Sequence, residues 1–194
     1  LLSTFVGDKC IYPVSKDVKL HSVSGTGKNE NLLYKLKTFS RFRKLIKSER
    51  PDVIIAFQFD FNMISIVSSF GTGVPVIISE RNNPRSVPRK KILRVLRKIL
   101  YPFAEGAVFQ TDEAKHCFSK RVIEKSVVIC NPVREGLPEP VKEVFDGRII
   151  TAGRLENQKR HDILINAFAA IKDKFPNSNL YIYGNGSKRV ELEK

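Results

Sequence analysis

Residues 147–186 read GRIITAGRLENQKRHDILINAFAAIKDKFPNSNLYIYGNG. The order is an apolar strand, a turn carrying Arg154 and Lys159, a helix, and a second strand closing on Gly184-Asn185-Gly186. In the helix, Leu164, Phe168, Ile171 and Phe175 recur at spacings of four, three and four, which places them on one face. Two fixed cations therefore stand at the carboxyl end of a strand, beside a helix amino terminus. Unpaired N–H groups, the helix dipole and side-chain charge converge on phosphate in such places. Arginine offers forked contacts to phosphate oxygens and lysine a compact charge, and Gly153 lets a ligand approach the backbone. A basic loop with solvated side chains fits the same spacing, so the pattern by itself leaves both readings open. Arg189 stands where a dinucleotide fingerprint would have its third glycine, so the loop at Gly184 and Gly186 is not read as an NAD site.

Upstream, apolar runs alternate with helical patterns. Residues 53–57, 74–79, 106–110 and 126–130 are the expected strands, and 31–48, 62–70, 89–101 and 112–119 the expected helices. Thr111 before Asp112 and Glu113 supplies a hydroxyl cap and acids against the dipole. Gly71-Thr72-Gly73 and Gly136-Leu137-Pro138 are breaks. This alternation predicts an α/β fold with an open, mostly parallel sheet covered by helices on both faces. Residues 133–146 combine Gly136, Pro138 and Pro140 with mixed charge and no period, which reads as a linker. The expected organisation is a Rossmann-like domain over 1–134, lacking its first strand, a linker over 135–146, and the first βαβ unit of a second, incomplete Rossmann-like domain over 147–194. A unit of fewer than about 50 residues can hardly bury a core of its own.

The 194 residues carry a net charge of +14 and 42% hydrophobic content. That charge favours polyanions: nucleic acid, an anionic membrane surface or phosphorylated substrates. No apolar run approaches the ~20 residues of a membrane span. Cys10, Cys117 and Cys130 are odd in number and widely spaced, as expected of reduced thiols in a cytoplasmic protein. Three scattered histidines argue against a structural zinc site.

The combination AGRLENQKRHDILINAFAAI and FPNSNLYIYGNGSKRVELE resembles the start of the carboxyl-terminal domain of retaining GT-B glycosyltransferases of family 4 (group 1). RPDVIIAF, GVPVIISERNNP, VFQTDEAK and VVICNPV resemble the second half of that family's amino-terminal domain, so the likeness covers about residues 50–194. It implies a GT-B-like fold in which two Rossmann-like domains face each other across a cleft. It also implies a nucleoside-diphosphate sugar as donor, a UDP-sugar in most members, and a lipid-linked or polysaccharide acceptor of the cell envelope. Arg154 and Lys159 would bind the donor diphosphate and stabilise the charge that grows as the glycosidic bond breaks, with Gly153, Gly184 and Gly186 at the same donor site. No metal or other cofactor would be needed. Glu80, Arg81 and Asn82 would line the acceptor side, Glu80 and Arg81 as candidate catalytic groups, with Asp60 nearby and Asn131 at the hinge.

Many members carry a histidine near the position of Arg81, whereas this chain has Ser79-Glu80-Arg81-Asn82. Glu80 and Arg81 could share its role or pair structurally. The family's Glu-x7-Glu element would fall beyond residue 194 and its first glycine-rich loop before residue 1. The chain is accordingly expected to be a fragment, inactive alone.

Two helical stretches are strongly basic. Residues 89–103 hold six Lys/Arg and no acid, with Ile92, Leu96, Ile99 and Phe103 on one face, and 34–50 are similar around Phe39, Phe42, Leu45 and Ile46. Each either packs on the sheet with a solvated basic face or lies on an anionic membrane, where each cation contributes on the order of 1 kcal/mol. The second arrangement would make the protein peripheral on the inner face of the membrane. No stacking platform or RNA-binding signature accompanies the charge, so no specific nucleic acid is expected. His116 and Cys117 are adjacent on a helix and cannot easily pair as a nucleophile and base. His161 is read as supporting the turn. The alternative to an enzyme is a non-enzymatic basic α/β module for nucleic acid or an anionic membrane.

Overall fold

The computed structural model describes residues 2–4, 13–23, 32–137, 139 and 147–193, and the side chains of 13–23, 37–137, 139 and 147–193. Residues 138 and 140–146 of the expected linker, Asn31 and Cys10 lie outside the described residues. The chain divides into two compact units, Leu1–Val133 and Arg134–Lys194.

In the first unit β1 (Leu2–Thr4) pairs in parallel with β2 (Leu20–Ser22), followed by α1 (Leu32–Glu49). A four-stranded parallel sheet then follows in sequential order: β3 (Ile54–Phe57), β4 (Val76–Glu80), β5 (Gly106–Phe109) and β6 (Ser126–Val128). Between them run α2 (Phe59–Ser69), α3 (Lys91–Leu100), and the short α4 (Asp112–Lys115) and α5 (Lys120–Ile123). The register sets Ile54 beside Val76, Ile78 beside Ala107 and Phe109 beside Val128.

Ile78, Val76, Ala107 and Phe109 point to one face and form the core with Ile66 of α2, Tyr101, Ala104 and Val122 of α5. The opposite face leaves Ile55, Phe57, Val127 and Ile129 exposed. The expectation of helices on both faces is therefore corrected for the described residues. Right-handed crossovers between strands in sequential order return every connecting helix to the same side.

Two further boundaries differ from expectation. α2 begins at Phe59 rather than residue 62, because Phe59 is buried in its first turn and Asp60 suits the positive end of the dipole. The single helix expected over 112–119 ends at Lys115, and α5 starts only at Lys120. Thr111 does cap its start, accepting from the Ala114 N–H at 3.2 Å. The chain then tightens at His116–Phe118 so that Phe118 turns inward, stacked on Tyr101 at 5.5 Å and against Phe109 at 4.9 Å.

The second unit is β7 (Arg148–Ala152), a 3-10 turn at Asn157–Lys159, α6 (His161–Ile171), β8 (Asn179–Tyr183) and α7 (Arg189–Leu192). β7 and β8 are parallel, with Ala152 opposite Tyr183. Of the apolar face expected on α6 and just beyond it, Leu164 and Phe168 are half-buried while Ile171 and Phe175 are exposed. Two strands about 4.8 Å apart are narrower than the roughly 10 Å breadth of the helix laid on them.

Candidate active site

The donor-side candidates all lie where β7 and β8 end. Gly153 N–H donates to the Tyr183 carbonyl at 2.9 Å, continuing the ladder by one bond. The Leu155 N–H donates to the Asn185 carbonyl at 3.0 Å, and the Lys188 N–H to the Leu155 carbonyl at 2.9 Å. The loop after β7 is thereby laced to the loop after β8.

Within that frame Lys159 folds back. A β-carbon built on Gly153 would sit 3.9 Å from Lys159 Cδ and Cε and 3.8 Å from His161 Nε2. The side chains of Arg154 and Lys159 are exposed and form no hydrogen bond or ion pair within 4 Å among the described residues. His161 is buried to 5% exposure at the first position of α6, and its Nε2 has no hydrogen-bond partner among the described residues.

The glycines divide into two kinds. A methyl group at Gly153 would meet only ordinary contacts, with His161 Nε2 and with Cδ and Cε of Lys159. Methyl groups at Gly184 and Gly186 would collide with the carbonyls of Gly153 and Leu155. These two glycines let the second loop press against the first, which supports the site from behind.

Glu156 carries no signal in the sequence. Its carboxylate accepts from Ser187 N–H at 3.0 Å and from Ser187 Oγ at 2.8 Å, tying the two loops together. Those bonds hold its pKa below the usual carboxylate range, helped by the charges of Arg154 and Lys188. No local spacing announces the pair, because its members are separated by a whole βαβ unit. Arg160 adopts the left-handed region, with φ of 50°, and is anchored to Asp162 at 2.8 Å.

The acceptor-side candidates lie at the carboxyl edge of the four-stranded sheet. Arg81 donates to Asn131 Oδ1, bringing two of them together. Arg81 and Asn82 line a cleft of about 250 Å³ with Arg85, Gln110 and Thr111. Asp60 is exposed in the first turn of α2, just after Gln58, whose φ of 74° is unusual for a side-chain-bearing residue.

Glu80 faces inward. It is 2% exposed and accepts from the Tyr101 hydroxyl at 2.7 Å, with Arg97 at 3.9 Å. Asn62 donates to the same Tyr101 oxygen at 3.1 Å and to the Ser79 carbonyl at 3.1 Å. Burial raises the Glu80 pKa, opposed by the Tyr101 bond, the Arg97 charge and the backbone N–H groups of Asn82 and Arg81. Burial also drives the Tyr101 phenol well above its ordinary range, reinforced by Glu80. Of the two possibilities for this pair, structural pairing does not occur, since Glu80 and Arg81 take separate partners. His116 and Cys117 likewise turn to different carbonyls, those of Asp112 and Glu113.

Residues 132–194 match the family model of glycosyl transferases group 1. The chain is 27% identical over 196 aligned residues to a GalNAc-α-(1→4)-GalNAc-α-(1→3)-diNAcBac-PP-undecaprenol α-1,4-N-acetyl-D-galactosaminyltransferase of Campylobacter jejuni, covering 97% of this chain and 54% of that protein. Among solved structures it is similar to the lipopolysaccharide outer core galactosyltransferase WaaB, with a TM-score of 0.65, 18% identity, and coverage of 92% and 49%. It is also similar to Anabaena Alr3699/HepE in complex with UDP and glucose, with a TM-score of 0.61, 14% identity, and coverage of 90% and 50%. The chain thus spans about half the length of these relatives. With the parallel α/β architecture common to both units, these likenesses put the chain on the GT-B fold, and its residues 132–194 carry the match to the group 1 glycosyl transferase model.

Proposed function

We propose that the protein transfers a sugar from a nucleoside-diphosphate sugar, a UDP-sugar by its family likeness, to a lipid-linked or polysaccharide acceptor. The observation that carries this reading is the loop after β7. Exposed Arg154 and Lys159, whose side chains form no ion pair within 4 Å among the described residues, stand with the amino terminus of α6 beside Gly153. A diphosphate leaving group gathers negative charge as the glycosidic bond breaks, and cations fixed in advance stabilise that charge without reorganisation. These side chains supply the positive charge that a metal would otherwise bring, so transfer is metal-independent in this reading. Retention of configuration follows from the family likeness. Arg81, Asn82 and Asn131 form the acceptor side, with Glu80 holding that strand end from below. The free thiols of Cys117 and Cys130 suit a cytoplasmic protein.

The test is UDP release by the full-length protein given a UDP-sugar and a polyprenyl-diphosphate-linked acceptor. Lys159→Ala is expected to lower kcat by about 10²-fold or more with a smaller change in KM, as loss of a contact strongest in the transition state requires. EDTA is expected to leave the rate unchanged. A rate abolished by EDTA and restored by a divalent cation contradicts the metal-free reading, and a wild-type rate in Lys159→Ala contradicts the placement of the donor.

A further inference from the structure

At the start of α6 a buried polar atom stands without a partner. His161, the first residue of the helix, is 5% exposed, and its Nε2 has no hydrogen bond among the described residues. Buried polar groups are nearly always paired, and an orphaned one weakens the fold. A leucine would fill the same space without that penalty. An imidazole is therefore unfavourable here unless a partner reaches it from outside the chain.

The geometry indicates the side from which that partner comes. Arg160, with φ of 50°, joins the 3-10 turn to α6, and His161 after it faces inward. A carbon added at Gly153 would rest 3.8 Å from His161 Nε2 and 3.9 Å from Cδ and Cε of Lys159, so the two side chains bound one side of the strand end. The eleven-residue α6 begins there, and its N-cap residue places no side-chain hydrogen bond on it. The neighbouring acids are engaged, Asp162 with Arg160 at 2.8 Å and Glu156 with Ser187 at 2.8 Å.

We propose that His161 is a third contact of the donor diphosphate, its Nε2–H donating to a phosphate oxygen lodged between Lys159 and the amino terminus of α6. The inference rests on the donor reading of this loop. Lys159 is exposed on a flexible stem, and as its ammonium moves onto the phosphates its methylenes clear the approach to Nε2. An imidazole donates from Nε2 when neutral as well as when charged, so the contact requires no proton uptake. Lysine attracts the diphosphate as a point charge, whereas a hydrogen bond from a buried ring is directional and fixes the position of one oxygen.

UDP and uridine, added to the full-length protein, are the probes. The ring signals of His161, identified by their absence in His161→Gln, are expected to shift saturably with UDP and to stay in place with uridine, which has no phosphate. In calorimetry, His161→Leu is expected to raise the Kd for UDP about tenfold, the loss of one hydrogen bond. Its Tm without UDP is expected to equal or exceed that of the wild type, because the orphaned nitrogen is gone. His161→Gln keeps an amide N–H near the same place and is expected to bind within about threefold of the wild type. Wild-type affinity in His161→Leu, or equal losses in the Leu and Gln variants, would overturn the inference in favour of a histidine that only supports the turn. Unmoved ring signals in the wild type at saturating UDP would do the same without any variant. Retained affinity in the Arg154→Ala, Lys159→Ala variant would remove the donor site and this contact with it. Loss there with retention in His161→Leu removes the His161 contact alone.

Discussion

At the residue scale, Gly153 and Gly184 differ in what surrounds them, and the proposed donor site turns that difference into a test. Both border the same pair of loops, but only the second is pressed against another backbone. Gly153→Ala is expected to cost less than about 1 kcal/mol of stability while weakening UDP binding about tenfold by crowding the phosphate approach. Gly184→Ala is expected to lose about 1–3 kcal/mol through overpacking. Thermal unfolding and calorimetry distinguish the two, and equal stability loss in both variants would remove the distinction. Glu80 yields a pH prediction. Its folded pKa is raised above the ordinary 4.5, so the folded state binds more protons than the unfolded state above that pH. Stability associated with Glu80 is therefore greatest at low pH and is lost as pH rises through its folded pKa. Relative to wild type, Glu80→Gln is expected to gain in Tm from about pH 4.5 upward. A difference independent of pH would show that the carboxyl is not titrating in this way. Arg154 and Lys159 were legible because they are close in sequence around a strand end. The Glu156–Ser187 tie was not, since only folding brings positions 31 residues apart into contact.

At the scale of elements, apolar runs and breaks read correctly as parallel strands, because buried parallel strands are continuous in Val and Ile. VIIAF lost only its first residue, while VPVIIS lost its first two and gained Glu80. The side to which a helix turns was less legible. The periodicities of α1 and α3 look alike, but the orientation of α3 depends on carbonyls at Pro84, Val87 and Pro88 that accept from its arginines. The early end of the helix expected over 112–119 likewise comes from a tertiary demand, the seat of Phe118 between Tyr101 and Phe109. The core beneath β5 gives a direct contrast in stability. Phe109, fully buried, is expected to cost about 3–5 kcal/mol on change to Ala, whereas exposed Ile92→Gln stays within about 0.5 kcal/mol. Urea denaturation measures both. A loss at Ile92 comparable to that at Phe109 would mean that the apolar face of α3 is covered in the folded protein.

At the scale of the molecule, each unit collects its candidate residues at the carboxyl ends of its parallel strands, where α/β folds bind ligands. In the first unit these are Asp60, Arg81, Asn82 and Asn131; in the second, Gly153, Arg154 and Lys159. The α/β class and its GT-B kinship were legible because strand, cationic turn, helix and glycine-ended strand follow one another within 40 residues. Coverage of the sheet by helices on one face only, among the described residues, was not, because alternation of elements does not disclose strand order. The account rests on the cations after β7 as the seat of a nucleotide diphosphate. Calorimetric titration of UDP into the full-length protein and into its Arg154→Ala, Lys159→Ala variant tests it most directly. Saturable binding in the wild type and its loss in the folded variant are predicted; equal affinity in the two would contradict it.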